Sequence, residues 1–153
     1  MEVTTEKTIE AADVAAGLER LVSLIRWLSP GGMSLTSAAT LATLEQSGPW
    51  RLTSLAAREG VTQPAMTQLV GRLTEAGLAE RCADAADGRV VQVQITPAGR
   101  DFVERRRQVR AERLSGLLTR LPPEDQAALA AALPAIRALT SAERDGSAPL
   151  PQA

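Results

Sequence analysis

Gln63, Thr67, Gln68 and Arg72 recur on one side of a short run whose opposite side is apolar. Their chemistry is hydrogen bonding to an extended polar partner. A glutamine amide can pair with adenine through two atoms. Threonine suits a thymine methyl or a phosphate, and an arginine fork suits guanine or phosphate. Met66, Leu69, Val70 and Leu73 lie at i, i+3, i+4 and i+7, the stripe of a helix packed on one face. Thr62 can cap that helix, and Pro64 in its first turn has no hydrogen bond to lose. The free N–H groups of such a first turn also attract phosphate.

The elements around this run determine where it points. Thr53 to Glu59 reads as a shorter helix closed by Gly60, which suits a left-handed residue at the helix end. Thr53 stands in its first turn, where Arg51 and Ser54 also offer phosphate contacts. Gly77 stops the second helix, and two extended runs follow around Asp84-Ala85-Ala86-Asp87-Gly88. The pattern is a helix, a turn, a second helix and a β-hairpin, with Arg89 just past the hairpin tip. Asp87 stands two residues before Arg89 and can hold it by a charge-assisted bond. A helix-turn-helix with a hairpin beside it is a device for reading duplex DNA.

The flanks are helical as well. Val14, Leu18, Leu21, Ile25 and Leu28 alternate steps of four and three, a narrow seam of the kind that pairs helices. Pro30-Gly31-Gly32 ends it, and a second helix is expected from about Thr36 to Gln46, capped by Ser34 or Thr36. Thr96-Pro97 opens a long helix to about Leu121. Pro123-Glu124-Asp125 starts the last one, striped by Leu129, Leu133, Ile136 and Leu139 and expected to kink at Pro134. Three striped helices exceed what one small reader can cover, which points to a homodimer. The expected organisation is a single domain over residues 1–153. Dimerisation helices occupy about 9–33 and 97–142, the reader about 34–96, and a disordered tail 143–153.

Composition agrees and excludes several classes. Apolar residues make up 44% of the 153, enough for a core, and Trp27, Trp50 and Phe102 are the only aromatics. The core must therefore be aliphatic. The net charge is −1, but its placement is uneven. Lys7, Arg20 and Arg26 meet six carboxylates in residues 1–50, whereas residues 51–107 carry nine arginines against seven carboxylates. The positive excess lies in the reader, where phosphate contact needs it. With no histidine and the single Cys82, neither a zinc site nor an internal disulfide can be built, and no cofactor is expected. No activated nucleophile or phosphate loop is present, so an enzyme is not expected. No apolar run is long enough to span a membrane and no signal peptide is visible, so a cytoplasmic location, on the nucleoid when bound to DNA, is expected.

The string LAAREGVTQPAMTQLVGRLTEAGLAER, followed by DGRVVQVQITPAGR, resembles the MarR family of bacterial transcription regulators over roughly residues 10–142. The resemblance implies a mainly α fold with a small β-wing: a winged helix-turn-helix carried on N- and C-terminal dimerisation helices. It further implies an obligate, triangular homodimer on double-stranded DNA. Small aromatic or anionic effectors would bind between the dimer and reader lobes. By position, Arg89 matches the family arginine that enters the minor groove, where a narrow groove concentrates negative potential. Ala85 and Ala86 stand where the family often carries arginine or other polar residues.

The DNA-binding residues expected are thus Thr53, Thr62, Gln63, Pro64, Thr67, Gln68, Arg72, Asp87 and Arg89. Trp27, Trp50 and Phe102, near the expected lobe junction, are candidates for the ligand pocket. Arg105-Arg106-Arg107 must point in different directions on a helix, so a solvated or dimer-interface role is expected. Cys82 reads as a small packed residue. The function expected is a ligand-responsive repressor acting as a homodimer on a pseudo-palindromic operator. The alternative is a winged-helix interaction module without DNA binding, motivated by the thin basic excess and the alanine-rich wing tip.

Overall fold

The computed structural model describes residues 10–84 and 87–144. Along these residues run α1 (Ala11–Leu28), α2 (Leu35–Ser47), β1 (Trp50–Arg51), α3 (Leu52–Arg58), α4 (Gln63–Glu75), β2 (Ala79–Ala83), β3 (Val91–Ile95), α5 (Pro97–Leu118) and α6 (Pro123–Arg144). The chain divides into two compact units, Met1–Arg113 and Leu114–Ala153. Among the described residues, no helix is long and apolar enough to cross a membrane.

Local chemistry explains where the elements of the first unit begin and end. Ser34, not Thr36, caps α2, its hydroxyl accepting the Ser37 N–H at 3.1 Å. Thr62 caps α4 through the Ala65 N–H. Gly60 and Gly77 adopt φ of 63° and 71°, a left-handed conformation that lets the chain turn out of α3 and α4 without a Cβ penalty. The three strands form one antiparallel sheet in the order β1-β3-β2. Trp50 pairs with Val93 and Arg51 with Gln92, while β2 runs from Ala79 opposite Ile95 to Ala83 opposite Val91. The third strand is an addition to the expected hairpin. Two residues between Gly48-Pro49 and α3 are too few to show a period of two.

The core is aliphatic, as the scarcity of aromatics requires. Leu41 and Leu44 of α2, Leu55 of α3, Met66 and Val70 of α4 and Val93 of β3 are fully buried, with Leu69, Leu73, Ile95 and Val103 around them. In α1 only Leu28 of the seam is buried; Val14, Leu18, Leu21 and Ile25 stay 38–45% exposed.

In the second unit, α6 includes Pro134 within its span, and its stripe of Leu129, Leu133, Ile136 and Leu139 is 45–55% exposed. Glu143 and Arg144, assigned above to a tail, belong to this helix. Residues 145–153 lie outside the described residues. The preceding helix stops at Leu118, short of Leu121, because Pro122 and Pro123 follow closely.

A tight junction sets the start of α5. The Thr96 hydroxyl donates to the Gly77 carbonyl at 2.6 Å and accepts the Gly99 N–H at 3.0 Å, while the Thr96 N–H bonds the Leu78 carbonyl at 3.1 Å. Gly99 leaves the room for this: a Cβ there would lie 2.1 Å from the Leu78 carbonyl oxygen and 2.7 Å from Ile95 Cγ1. Both obstacles belong to buried structure that cannot swing away. Gly99→Ala should therefore cost about 3 kcal/mol of folding stability, as overpacking does. Urea unfolding measures it; an unchanged midpoint would mean that the junction yields.

Candidate nucleic-acid interface

The surface that the reader presents follows from how α4 is packed. With Met66, Leu69, Val70 and Leu73 buried, Gln63, Pro64, Thr67, Gln68 and Arg72 are all exposed on the opposite side. Gly71 is half-buried at the margin of that face. The Thr67 hydroxyl donates to the Gln63 carbonyl at 2.9 Å, which commits its proton to the helix backbone. Thr62 and Thr53 are exposed at the starts of α4 and α3. The expected DNA-facing residues of the two helices thus lie at the surface, at helix starts or on one polar face.

The hairpin carries Asp87 and Arg89, both exposed, in a tight turn. The Val90 N–H bonds the Asp87 carbonyl at 2.9 Å. Asp87 Oδ1 accepts the Arg89 backbone N–H at 3.1 Å, so the aspartate shapes the turn. The expected side-chain bond to the guanidinium is not what holds them together. Ala85 and Ala86 lie outside the described residues.

Beneath the turn, Asp84 Oδ2 accepts from Arg51 Nη2 at 3.1 Å and from Gln92 Nε2 at 3.0 Å. Arg51, expected at phosphate, is thereby engaged in an ion pair. Sequence reasoning missed Asp84, because its partners come from strands 33 and 8 positions away.

Comparison with known proteins now bears on this surface. A sequence model of the MarR family matches residues 33–91, which span α2 to the first residue of β3. An uncharacterised HTH-type transcriptional regulator of Mycobacterium bovis is 32% identical over 112 residues, covering 72% of this chain and 78% of the relative. The chain belongs to the MarR family. An HTH-type transcriptional repressor of Mycobacterium tuberculosis is 31% identical over 99 residues, 65% of this chain and 71% of that protein. A crystal structure of an E. coli MarR variant superposes with a TM-score of 0.68 at 22% identity, covering 86% of this chain and 98% of the other, which shows the same fold. MarR-family proteins are DNA-binding transcriptional regulators and not enzymes.

In this MarR-family chain the three aromatics do not gather in one pocket. Trp27 is 66% exposed on α1. Trp50 is half-buried in β1, its ring under the Arg58 guanidinium at 5.6 Å and its Nε1 without a hydrogen-bond partner. Of the three, Phe102 lines a cavity of about 270 Å³, together with Ile25, Leu35, Leu41, Val103 and Arg106. Four of these five are aliphatic. Cys82 is half-buried on β2 opposite Gln92.

Arginine is the polar feature of that cavity. Arg106 is only 5% exposed; its Nη1 donates to the Pro30 carbonyl at 2.9 Å, while Nε and Nη2 are buried without a partner. Arg110 Nη2 reaches Ser29 Oγ at 3.4 Å with its Nε unpaired, and Arg113 Nη1 bonds the Leu28 carbonyl at 3.1 Å. The end of α1, where free carbonyls favour cations, is thus covered by three arginines of α5. Burial, and then the neighbouring Arg110, push the Arg106 pKa below its ordinary value. Arg107 pairs instead with Glu45, which raises its pKa. The triplet Arg105-Arg106-Arg107 is thereby divided among solvent, the interior and an ion pair. The spacing of Arg106, Arg110 and Arg113 by four and three, continuing the face of Val103, was the overlooked signal.

Proposed function

We propose that this chain is a homodimeric, ligand-responsive repressor that reads a pseudo-palindromic operator through α4 and the wing. The observation that carries the reading is the complete exposure of the polar face of α4 beside a wing turn that presents Arg89. Gln63, Thr67, Gln68 and Arg72 would meet base edges and phosphates in the major groove. Thr53, Thr62 and Pro64 lie at helix starts suited to phosphate. Asp87 shapes the turn, and Arg89 enters the flanking minor groove. Two subunits would engage half-sites about one helical turn, roughly 10 bp, apart. Repression is favoured by the mycobacterial relative named as a repressor.

Dimerisation is supported by the apolar stripes of α1 and α6, each exposed over two or more turns. Contiguous apolar surface of this kind marks association. Leu21→Glu on α1 should convert the dimer to a monomer in sedimentation at micromolar concentration. A wild-type chain that sediments as a folded monomer overturns the assignment.

A ligand is supported by the cavity over Phe102 and by the buried, unpaired donors of Arg106, which leaving unsatisfied is costly. The class that fits is a small aromatic monoanion. Its effect is a population shift, limited to its differential affinity for the two arrangements of the dimer. With benzoate as probe, release from DNA should be lost in Arg106→Met, while DNA affinity without benzoate stays near that of the parent. Equal release from both proteins would remove Arg106 from the site.

DNA reading is tested on a duplex selected by the protein from genomic fragments and on its single-base variants. Gln68→Ala or Arg72→Ala should change preference at one base pair, each by about 1–3 kcal/mol. Arg89→Ala should weaken binding most where the flanking minor groove is A·T-rich. Arg89→Ala binding as tightly as the parent overturns the wing assignment. No affinity for any genomic duplex would favour the interaction-module reading instead.

A further inference from the structure

A wing arginine acts only where its hairpin holds it, and in this chain Asp87 closes the turn while a second carboxylate, Asp84, lies at its base. The Asp84 side chain is 11% exposed and takes hydrogen bonds from Arg51 of β1 and Gln92 of β3 on the same oxygen. Its backbone N–H donates to the Val90 carbonyl at 2.8 Å. The Val90 N–H in turn closes on the Asp87 carbonyl, forming the turn that contains Arg89. Asp84 therefore ties the end of β2 to both other strands and to the base of the turn. A two-stranded ribbon by itself is marginally stable, and an arginine on a loose one must lose more freedom on binding.

We infer that Asp84 is a positioning residue for DNA recognition, aiming Arg89 by clamping Arg51 and Gln92. The inference rests on the wing reading proposed above. It runs against simple charge reckoning: a carboxylate repels phosphate, and removing it would also release Arg51 as a free cation beside α3. On charge alone, Asp84→Ala should bind DNA more tightly. The clamp requires the opposite.

A double-mutant cycle on the selected duplex decides between the two. Asp84→Ala should weaken binding about tenfold in the parent but less than about twofold when Arg89 is already alanine, as expected for coupled residues. Asp84→Asn, which keeps an oxygen for both donors, should recover most of the affinity. Gln92→Leu removes one arm of the clamp without changing charge, and should weaken binding by about threefold only while Arg89 is present. Should Asp84→Ala fail to fold in a thermal melt, Asp84→Asn and Gln92→Leu complete the cycle. Arg89→Ala without effect overturns the wing reading itself. An effect of Arg89→Ala combined with parent-like or tighter binding by Asp84→Ala overturns the positioning role alone. Losses that simply multiply overturn it as well.

Discussion

The burial of Met66, Leu69, Val70 and Leu73 against Leu41, Leu44, Leu55, Val93 and Ile95 is the constraint on which the reader depends. A helix has one rotation at which such a stripe is dry, and that rotation places Gln63, Thr67, Gln68 and Arg72 outward. Turning α4 by one residue, about 100°, would bury polar groups and expose apolar ones, at several kcal/mol. The reading face is therefore held by the core beneath it. Gly60 and Gly77 then let the chain leave on either side, and the Thr96 junction anchors α5 to the end of α4.

Around this firm centre the polar contacts divide into two kinds. Those that complete helix ends, such as Ser34 on α2 and Thr62 on α4, satisfy backbone groups that no other partner reaches. Those of α5 do something less economical. Arg106 is buried with two donors unpaired beside an apolar cavity; desolvation opposes this, and the bond to Pro30 and the Phe102 ring, 5.7 Å from its guanidinium carbon, offset part of it. Folding alone gives little reason for such a residue, since an apolar side chain of similar volume would fill the space. The proposed effector would supply the partner that these donors lack. The exposed apolar stripes of α1 and α6 pose the same question in another form, because apolar surface of that extent is stabilised by being covered.

The helices, the caps, the hairpin and the exposed recognition face were all legible in the chain, because each rests on spacing within about ten residues: a period of 3.6, a capping threonine, a glycine at a turn. The family signature added the minor-groove role proposed for Arg89, which no local rule assigns. What escaped the sequence has long reach. The strand Trp50–Arg51 exists only because Val93 and Gln92 lie opposite it. The Asp84 clamp and the arginines over the end of α1 join residues 33 and 76 to 85 positions apart. The aromatics part for the same reason: Phe102 lines a cavity, Trp50 faces Arg58 and Trp27 is exposed, a choice that residue type does not make.

The sequence by itself determined the helices and the hairpin, the aliphatic core and the rotation of the reading helix, since these follow from the periodicity of apolar residues and the backbone preferences of glycine, proline and threonine. Only the tertiary structure decided which cations are free. Of the arginines near the reader and its flank, Arg51 is bound to Asp84, Arg107 to Glu45 and the buried Arg106 to the Pro30 carbonyl, whereas Arg72 and Arg89 stand exposed. A charge pattern in one dimension cannot make that distinction. The energy of a charge depends on its distance to partners and its access to water, and both are properties of the folded arrangement.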